Sequence, residues 1–295
     1  MRLLSKTNID FIRIQKYTKF FSIILISIGI LSLISKSGPL LSIDFTGGTI
    51  AQIKFNKSIE IVDLREKLSN HGFKGAEIVE FGSPNEILIK TKISGSIADI
   101  SEKLNRAIDK TFELRRVESV GPKIGKELQS DAFKAIALAL MLILIYIAFR
   151  FDKYYALGSV VALVHDVLIT LGIFSILNYE INLSIVAAFL TIVGYSLNDT
   201  IVVFDRIREN ISKNIKKPLS YTVNTSLNET LNRTVITSFT TMMVVVILFV
   251  WGGEVINLFS FALIVGVLIG TYSSLFVASP IMLYFEKKSN IQVNN

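Results

Sequence analysis

Long apolar runs separated by short polar segments fill most of this chain, and one long polar stretch interrupts them near the start. A helix needs about 20 mostly apolar residues to cross a bilayer. Six runs meet that measure, at roughly 19–35, 133–149, 155–177, 183–204, 234–251 and 258–285. The last is long enough to tilt or to end early. The polar stretch 36–131 falls between the first two and has the length of a domain.

Inside that stretch the hydrophobic period changes. "TIAQIKF" alternates like a strand, and Ser58 is placed to cap a helix running through about Asn70, with Ile61, Leu64 and Leu68 on one face. "AEIVEF" and "EILIKTK" read as strands joined by the turn "GSPN". "SIADISEKLNRAIDKTF" reads as a second amphipathic helix and "ELRRVESV" as a last strand. The order β-α-β-β-α-β predicts a ferredoxin-like fold, an order common enough to say little about function. The expected fold class is therefore a polytopic α-helical membrane protein with six transmembrane helices and one small α+β domain between helices 1 and 2. Glycine-rich stretches flank the domain: "SIDFTGGT" at 42–49 and "VGPKIGKEL" at 120–128. The second lacks the Gly-Lys-Ser/Thr ending of a phosphate loop, so both are read as tight turns where backbone passes close to the spans.

Composition agrees with a membrane protein: 51% of residues are hydrophobic and only 19% charged. The net charge of +7 matters less than where the charges sit. Arg2, Lys6, Arg13, Lys16 and Lys19 precede the first span. Arg150 and Lys153 follow the second, Arg206 through Lys217 follow the fourth, and Lys287 and Lys288 close the chain. The loops "NYEIN" and "WGGEVIN" carry no Lys or Arg. This places a cytoplasmic N-terminus at 1–18, an uncleaved anchor at 19–35 and an exported, periplasmic domain at 36–131. A five-helix region at 132–285 with a cytoplasmic loop at 205–233 and a cytoplasmic tail at 286–295 follow. Acids and bases nearly balance in the exported domain, whose His71 reads as a helix-end residue.

Cysteine is absent and histidine occurs twice, so no metal site or cofactor is expected. The chemistry lies in the spans. An Asp at a helix centre costs about 2.5–3.5 kcal/mol on insertion scales, and such a residue usually faces a partner or a wet cavity. Asp199 lies in span four, His165 and Asp166 are adjacent in span three, and Arg233 stands at the start of span five. Asp199 reads as a proton site, with a static pair to Arg233 as the plainer alternative. His165 and Asp166 are equally a relay or packing; neighbours on a helix point about 100° apart, so both cannot share one face. Ala187, Thr191, Gly194 and Asn198 form a stripe of small and polar residues suited to close helix packing, with Tyr195 one turn before Asp199. Ala262, Gly266, Gly270 and Ser274 repeat the device in span six, so spans four and six are expected to pack with Asp199 near the seam. "DRIREN" reads as the positive end of the helix, where Arg206 and Arg208 anchor it at the boundary.

"VGYSLNDTIVVFDRIREN", with "HD" in span three, "NRTVITS" opening span five and "IDFTGGT" after span one, resembles the SecF family of protein-export membrane subunits, over nearly the whole chain. That family is related to half of a resistance-nodulation-division transporter. The resemblance implies an auxiliary subunit of the Sec translocase in the bacterial inner membrane. It would pair with SecD beside the SecYEG channel, with YajC and YidC as further partners, and use the proton gradient to promote export of unfolded preproteins. Asp199 would carry the proton and Arg233 would modulate it, with protons the coupling ion and no other cofactor. Lipid surrounds such a chain, and nucleic acid has no part. The alternatives are a proton-coupled small-molecule efflux transporter and a non-conducting scaffold. No nucleophile–base pair, metal cluster or nucleotide loop points to an enzyme.

Overall fold

The computed structural model describes residues 7–57, 59–108 and 111–293, with the side chains at 254, 255 and 287–293 outside the description. Ser58, the expected cap, lies outside the described residues, as do Arg2, Lys6 and the side chains of Lys287 and Lys288. The chain divides into two compact units, a sheet unit of Leu41–Lys134 with Glu180–Leu183 and a helical unit holding the rest.

In the sheet unit a short helix, α2 (Ile43–Thr46), leads into β1 (Gly48–Phe55), α3 (Ile61–Asn70), β2 (Glu77–Phe81), β3 (Ser83–Thr91), α4 (Ile97–Ala107) and β4 (Phe112–Val120). The element order is the expected one, and the antiparallel sheet runs β2-β3-β1-β4. Period-2 alternation turns Ala51, Ile53 and Phe55 inward from β1, and Ile87 and Ile89 from β3. They meet Leu64, Leu68, Ile100 and Leu104, the apolar stripes of α3 and α4, in one buried core. Ser96 caps α4 by accepting from the Asp99 amide at 3.1 Å. α3 starts one residue after Glu60, which makes no side-chain cap.

Two expectations change here. "GSPN" is not a four-residue turn: β3 starts at Ser83, and the chain reverses at Gly82, whose φ of 71° suits glycine. Ser83 and Asn85 instead bond each other at 2.7 Å, and Asn85 donates to the Phe55 carbonyl at 3.1 Å. "VGPKIGKEL" is not a turn either. It opens α5 (Pro122–Arg150), with Pro122 at the first helical position, where a missing N–H costs nothing. The close approach did materialise: a Cβ on Gly125 would sit 2.8 Å from the Phe45 carbonyl oxygen and 3.0 Å from the Gly47 nitrogen. In "FTGGT", Gly47 and Gly48 both adopt positive φ, and a Cβ on Gly48 would strike the Thr91 carbonyl.

The helical unit contains α1 (Phe11–Ser35), α6 (Lys153–Leu177), α7 (Leu183–Lys213), α8 (Leu219–Trp251), α9 (Glu254–Ser273) and α10 (Ser279–Val293). A π-helical turn, Ser274–Ala278, joins the last two into one continuous rod. Six helices, counting α9 with α10 as one, are long and apolar enough to cross a membrane among the described residues. α6, α7 and the α9–α10 rod bury half or more of their apolar windows (50, 56 and 56%), against 11, 6 and 11% for α1, α5 and α8. The first group forms the centre and the second turns most of its apolar surface outward, as lipid-facing helices do. α1 crosses α6 at two glycines: a Cβ on Gly172 would lie 2.7 Å from the Gly29 Cα, and one on Gly29 lies 2.9 Å from the Gly172 Cα. Ser32 and Ser175 bond at 2.8 Å beside that crossing.

The expected loop at 205–233 is mostly helix. α7 runs on to Lys213 and α8 begins at Leu219, because polar pairs tie the two extensions together. Arg206 donates to Glu229 at 2.7 Å, and Asn210 donates to Glu229 at 2.6 Å and to Ser226 at 3.0 Å. Apolar-run length could not reveal helix held by side-chain pairing.

Candidate intramembrane carboxylate site

Three buried ionisable side chains occupy the centre: His165 at 4% exposure, Asp166 at 0% and Asp199 at 3%. His165 and Asp166 were expected to diverge. They are both buried, because α6 packs against α1 on one side and α9 on another, and their side chains bend together: Nδ1 to Oδ1 is 2.9 Å. His165 Nε2 lies 3.0 Å from Ser22 Oγ on α1. Asp166 Oδ2 accepts from Ser196 of α7 at 2.6 Å and from Ser273 of α9 at 2.7 Å. Four helices therefore meet on one histidine–aspartate pair.

Asp199 sits one turn beyond Ser196 on α7 and faces α8. Its partners are the hydroxyls of Thr237 at 3.5 Å and Ser238 at 3.4 Å, both long for O–H to carboxylate contacts. Each hydroxyl has one proton, and each has a shorter claim on it. Thr237 also reaches the Thr234 and Arg233 carbonyls at 3.0 and 3.1 Å. Ser238 lies 2.6 Å from Thr271, whose own proton goes to the Val267 carbonyl at 2.7 Å. Asp199 is left with no dedicated donor. No ion pair joins it to Arg233 among the described residues; Arg233 is exposed one turn before Thr237, on a helix that begins well before it at Leu219. Two buried hydroxyls one turn away, Tyr195 Oη on α7 and Thr234 Oγ1 on α8, have no partner among the described residues.

Spans four and six pack as expected, but not through the small-residue stripe of α7. Gly266 and Gly270 of α9 do receive α7, but against Ile192 and Ser196: a Cβ on Gly266 would strike the Ile192 side chain, and one on Gly270 would lie 2.9 Å from the Ser196 Cβ. Ala187, Thr191, Gly194 and Asn198 occupy the neighbouring face and are exposed, and a Cβ on Gly194 would meet nothing within 4 Å. Helix spacing identifies faces but not which face finds a partner within the same chain.

"DRIREN" also does more than sit at a boundary. Asp205 accepts from Arg150 at 3.1 Å, Arg208 donates to the Arg150 carbonyl at 3.1 Å, and Arg206 pairs with Glu229. Residues that spacing did not single out are Ser22, Ser196, Thr237, Ser238, Thr271, Tyr272 and Ser273. Their signal was faint: hydroxyls in apolar helices usually bond their own backbone. The described residues hold no cluster of acids and histidines fit for a metal.

Residues 100–288 match the family model described as protein export membrane protein SecD/SecF, C-terminal. The chain is 43% identical over 291 residues to a protein translocase subunit SecF from Desulfurispirillum indicum, covering 95% of this chain and 92% of that one. The chain belongs to the SecF family. A SecF from Rhodothermus marinus is 45% identical over 294 residues, covering 96% of this chain and 95% of that protein. Among solved structures, SecDF from Thermus thermophilus, described as a translocon-associated membrane protein, superposes with a TM-score of 0.85 at 37% identity. That match covers 95% of this chain and 39% of the longer SecDF chain. The six spanning helices and the small antiparallel sheet are thus the architecture of a SecF-type multi-pass membrane protein.

Proposed function

We propose that this chain is the SecF-type subunit of a bacterial protein translocase, coupling proton movement at Asp199 to preprotein export, and that it is not an enzyme. The observation that carries this reading is the unmatched carboxylate: a 3%-exposed Asp with no dedicated donor and no ion pair among the described residues. An unpaired charge in a membrane interior is costly, and protonation relieves the cost. Asp199 therefore exchanges its proton as its surroundings change, and Thr237 and Ser238 of α8 are positioned to move with it. Arg233, one turn away on the same helix, modulates the exchange from its exposed position. Both termini face the cytoplasm and the sheet domain lies outside, as the loop charges indicate.

The partner in this reading is a SecD-type half, beside a SecYEG channel. The match to 39% of a SecDF chain supports it, and so does the exposed stripe Ala187, Thr191, Gly194 and Asn198, a surface suited to a second helix bundle. Purification of the tagged full chain in mild detergent is expected to bring down a SecD-like chain and the channel. Gly194→Leu is expected to lose the SecD-like chain while keeping the wild-type unfolding temperature, since a Cβ on Gly194 would meet nothing within 4 Å among the described residues. Recovery of the wild-type chain alone would defeat the reading, and full recovery of the partner with Gly194→Leu would remove the stripe from it.

A further inference from the structure

The pair His165–Asp166 carries an inference that goes beyond proton coupling at Asp199 and does not depend on it. Four contacts run in series from a carboxylate to a backbone carbonyl. Asp166 Oδ1 lies 2.9 Å from His165 Nδ1, and His165 Nε2 lies 3.0 Å from Ser22 Oγ. Ser22 Oγ lies 3.0 Å from the Tyr272 hydroxyl, which donates to the Thr18 carbonyl at 2.7 Å. Each contact needs one proton between its two heavy atoms. The Thr18 carbonyl is an acceptor only, so the proton on that last link belongs to Tyr272. The Ser22 hydroxyl supplies one more. A neutral imidazole supplies a third and leaves one of the four contacts without a proton; an imidazolium supplies two and completes the series.

The carboxylate end places that extra proton on the ring. Asp166 Oδ2 accepts hydroxyls from Ser196 at 2.6 Å and Ser273 at 2.7 Å, lengths typical of O–H donors to an ionised carboxylate. With His165 on Oδ1, three donors converge on Asp166. The Tyr272 ring stacks beside the imidazole, 6.0 Å between centroids at 21°. We infer that His165 is held as an imidazolium against the Asp166 carboxylate, a permanent ion pair inside the membrane that positions α1, α7 and α9 on α6. His165 is in this sense a positioning residue rather than a mobile proton carrier.

Among the described residues, the side chains bonded to the pair carry no competing charge. α1 presents Ser22 and the Thr18 carbonyl, α7 presents Ser196, and α9 presents Tyr272 and Ser273. Asp199 turns to Thr237 and Ser238 instead, and the Glu286 of α10 lines a separate cavity with Asp152 and Tyr155 at the first turn of α6. The pair is overall neutral, which is how ionisable groups in membranes are usually accommodated.

The test reads the ring nitrogens directly. The full-length chain is labelled with nitrogen-15 histidine, reconstituted in lipid bilayers and examined by solid-state NMR. With only two histidines, His71→Gln leaves His165 as the sole signal. Both ring nitrogens of His165 are expected to carry a proton at about pH 7.5. A bare ring nitrogen at about pH 7.5 overturns the inference. Asp166→Asn is expected to leave one nitrogen bare at the same pH, and retention of both protons in that variant would show that the carboxylate is not what holds them. The wild-type spectrum decides the matter by itself if the variant does not accumulate.

Discussion

Asp199→Asn is expected to leave a folded, assembled complex that no longer responds to the proton gradient. Asn keeps the size and one of the two acceptor oxygens: Thr237 approaches Oδ1 at 3.5 Å and Ser238 approaches Oδ2 at 3.4 Å, and the amide NH2 that replaces the other oxygen can donate to the hydroxyl facing it. It also removes the charge, which has no ion-pair partner among the described residues. Removing a poorly matched buried charge is close to neutral for stability, so the unfolding midpoint should stay within about 4 °C of wild type, under about 1 kcal/mol. Export is the quantity that changes. In membrane vesicles depleted of their own subunit and resupplied with this chain and a SecD-type partner, the increment caused by the gradient should fall to that of vesicles without the subunit. Asp199→Glu is expected to restore part of it, because a carboxyl group remains. Equal stimulation by Asp199→Asn and wild type would reduce Asp199 to a packing residue.

Gly172→Val is expected to be the most destructive small substitution in the helical unit. A Cβ there would lie 2.7 Å from the Gly29 Cα, and backbone cannot yield as a flexible side-chain end can. Overpacking of a well-packed contact costs about 1–3 kcal/mol, and sometimes more. The strain would fall on α1 and on the hydrogen bonds that tie it to α6. Ser32 to Ser175 at 2.8 Å, Lys36 to Asn178 at 2.7 Å and Ser22 to His165 at 3.0 Å all span the same crossing. The unfolding midpoint in detergent should drop by roughly 5–10 °C, by the usual conversion for chains of this size. Gly194→Val is the control: the same atoms added to an exposed glycine with nothing within 4 Å should leave the isolated chain's midpoint unchanged. An equal loss in both variants would mean that valine's helix propensity, and not the crossing, is responsible.

The spans were legible because 20 consecutive apolar residues admit few readings, and the order of strands and helices was legible because the period switches between 2 and 3.6. Asp166 and Asp199 stood out for the same reason, as acids inside apolar runs. What separates their roles did not. It depends on Ser22 and Tyr272 meeting 250 positions apart, and on Ser196 and Ser273 meeting at one oxygen. No periodicity encodes which hydroxyl leaves its own backbone for a carboxylate two helices away. The α7 stripe shows the same limit: Gly194 and Ser196 are both small, but only Ser196 faces Gly270. The extended ends of α7 and α8 escaped notice because Arg206, Asn210 and Glu229 stabilise helix through pairing across a turn of five residues, 214–218, rather than through apolar length.

The two acids therefore divide into a saturated one and an unsaturated one. Asp166 receives three short bonds and belongs to the frame, while Asp199 receives two long ones from hydroxyls engaged elsewhere. The frame fixes the α7 turn that carries Ser196, and Asp199 lies one turn further along the same helix. A proton gained or lost at Asp199 is then felt first by α8, whose Ser238 also reaches α9 through Thr271 at 2.6 Å. The motion expected on coupling is thus between α8 and a central bundle held by the Asp166 contacts.

Difference infrared spectroscopy of the reconstituted complex, stepped in pH, tests the division most directly, because a protonated carboxyl has its own carbonyl band. The expected result is a carboxylic-acid band that appears and disappears with pH, is abolished by Asp199→Asn and is unaffected by Asp166→Asn. A pH-dependent band that survives Asp199→Asn unchanged, or none at all between about pH 5 and about pH 9, would contradict a switchable proton on Asp199.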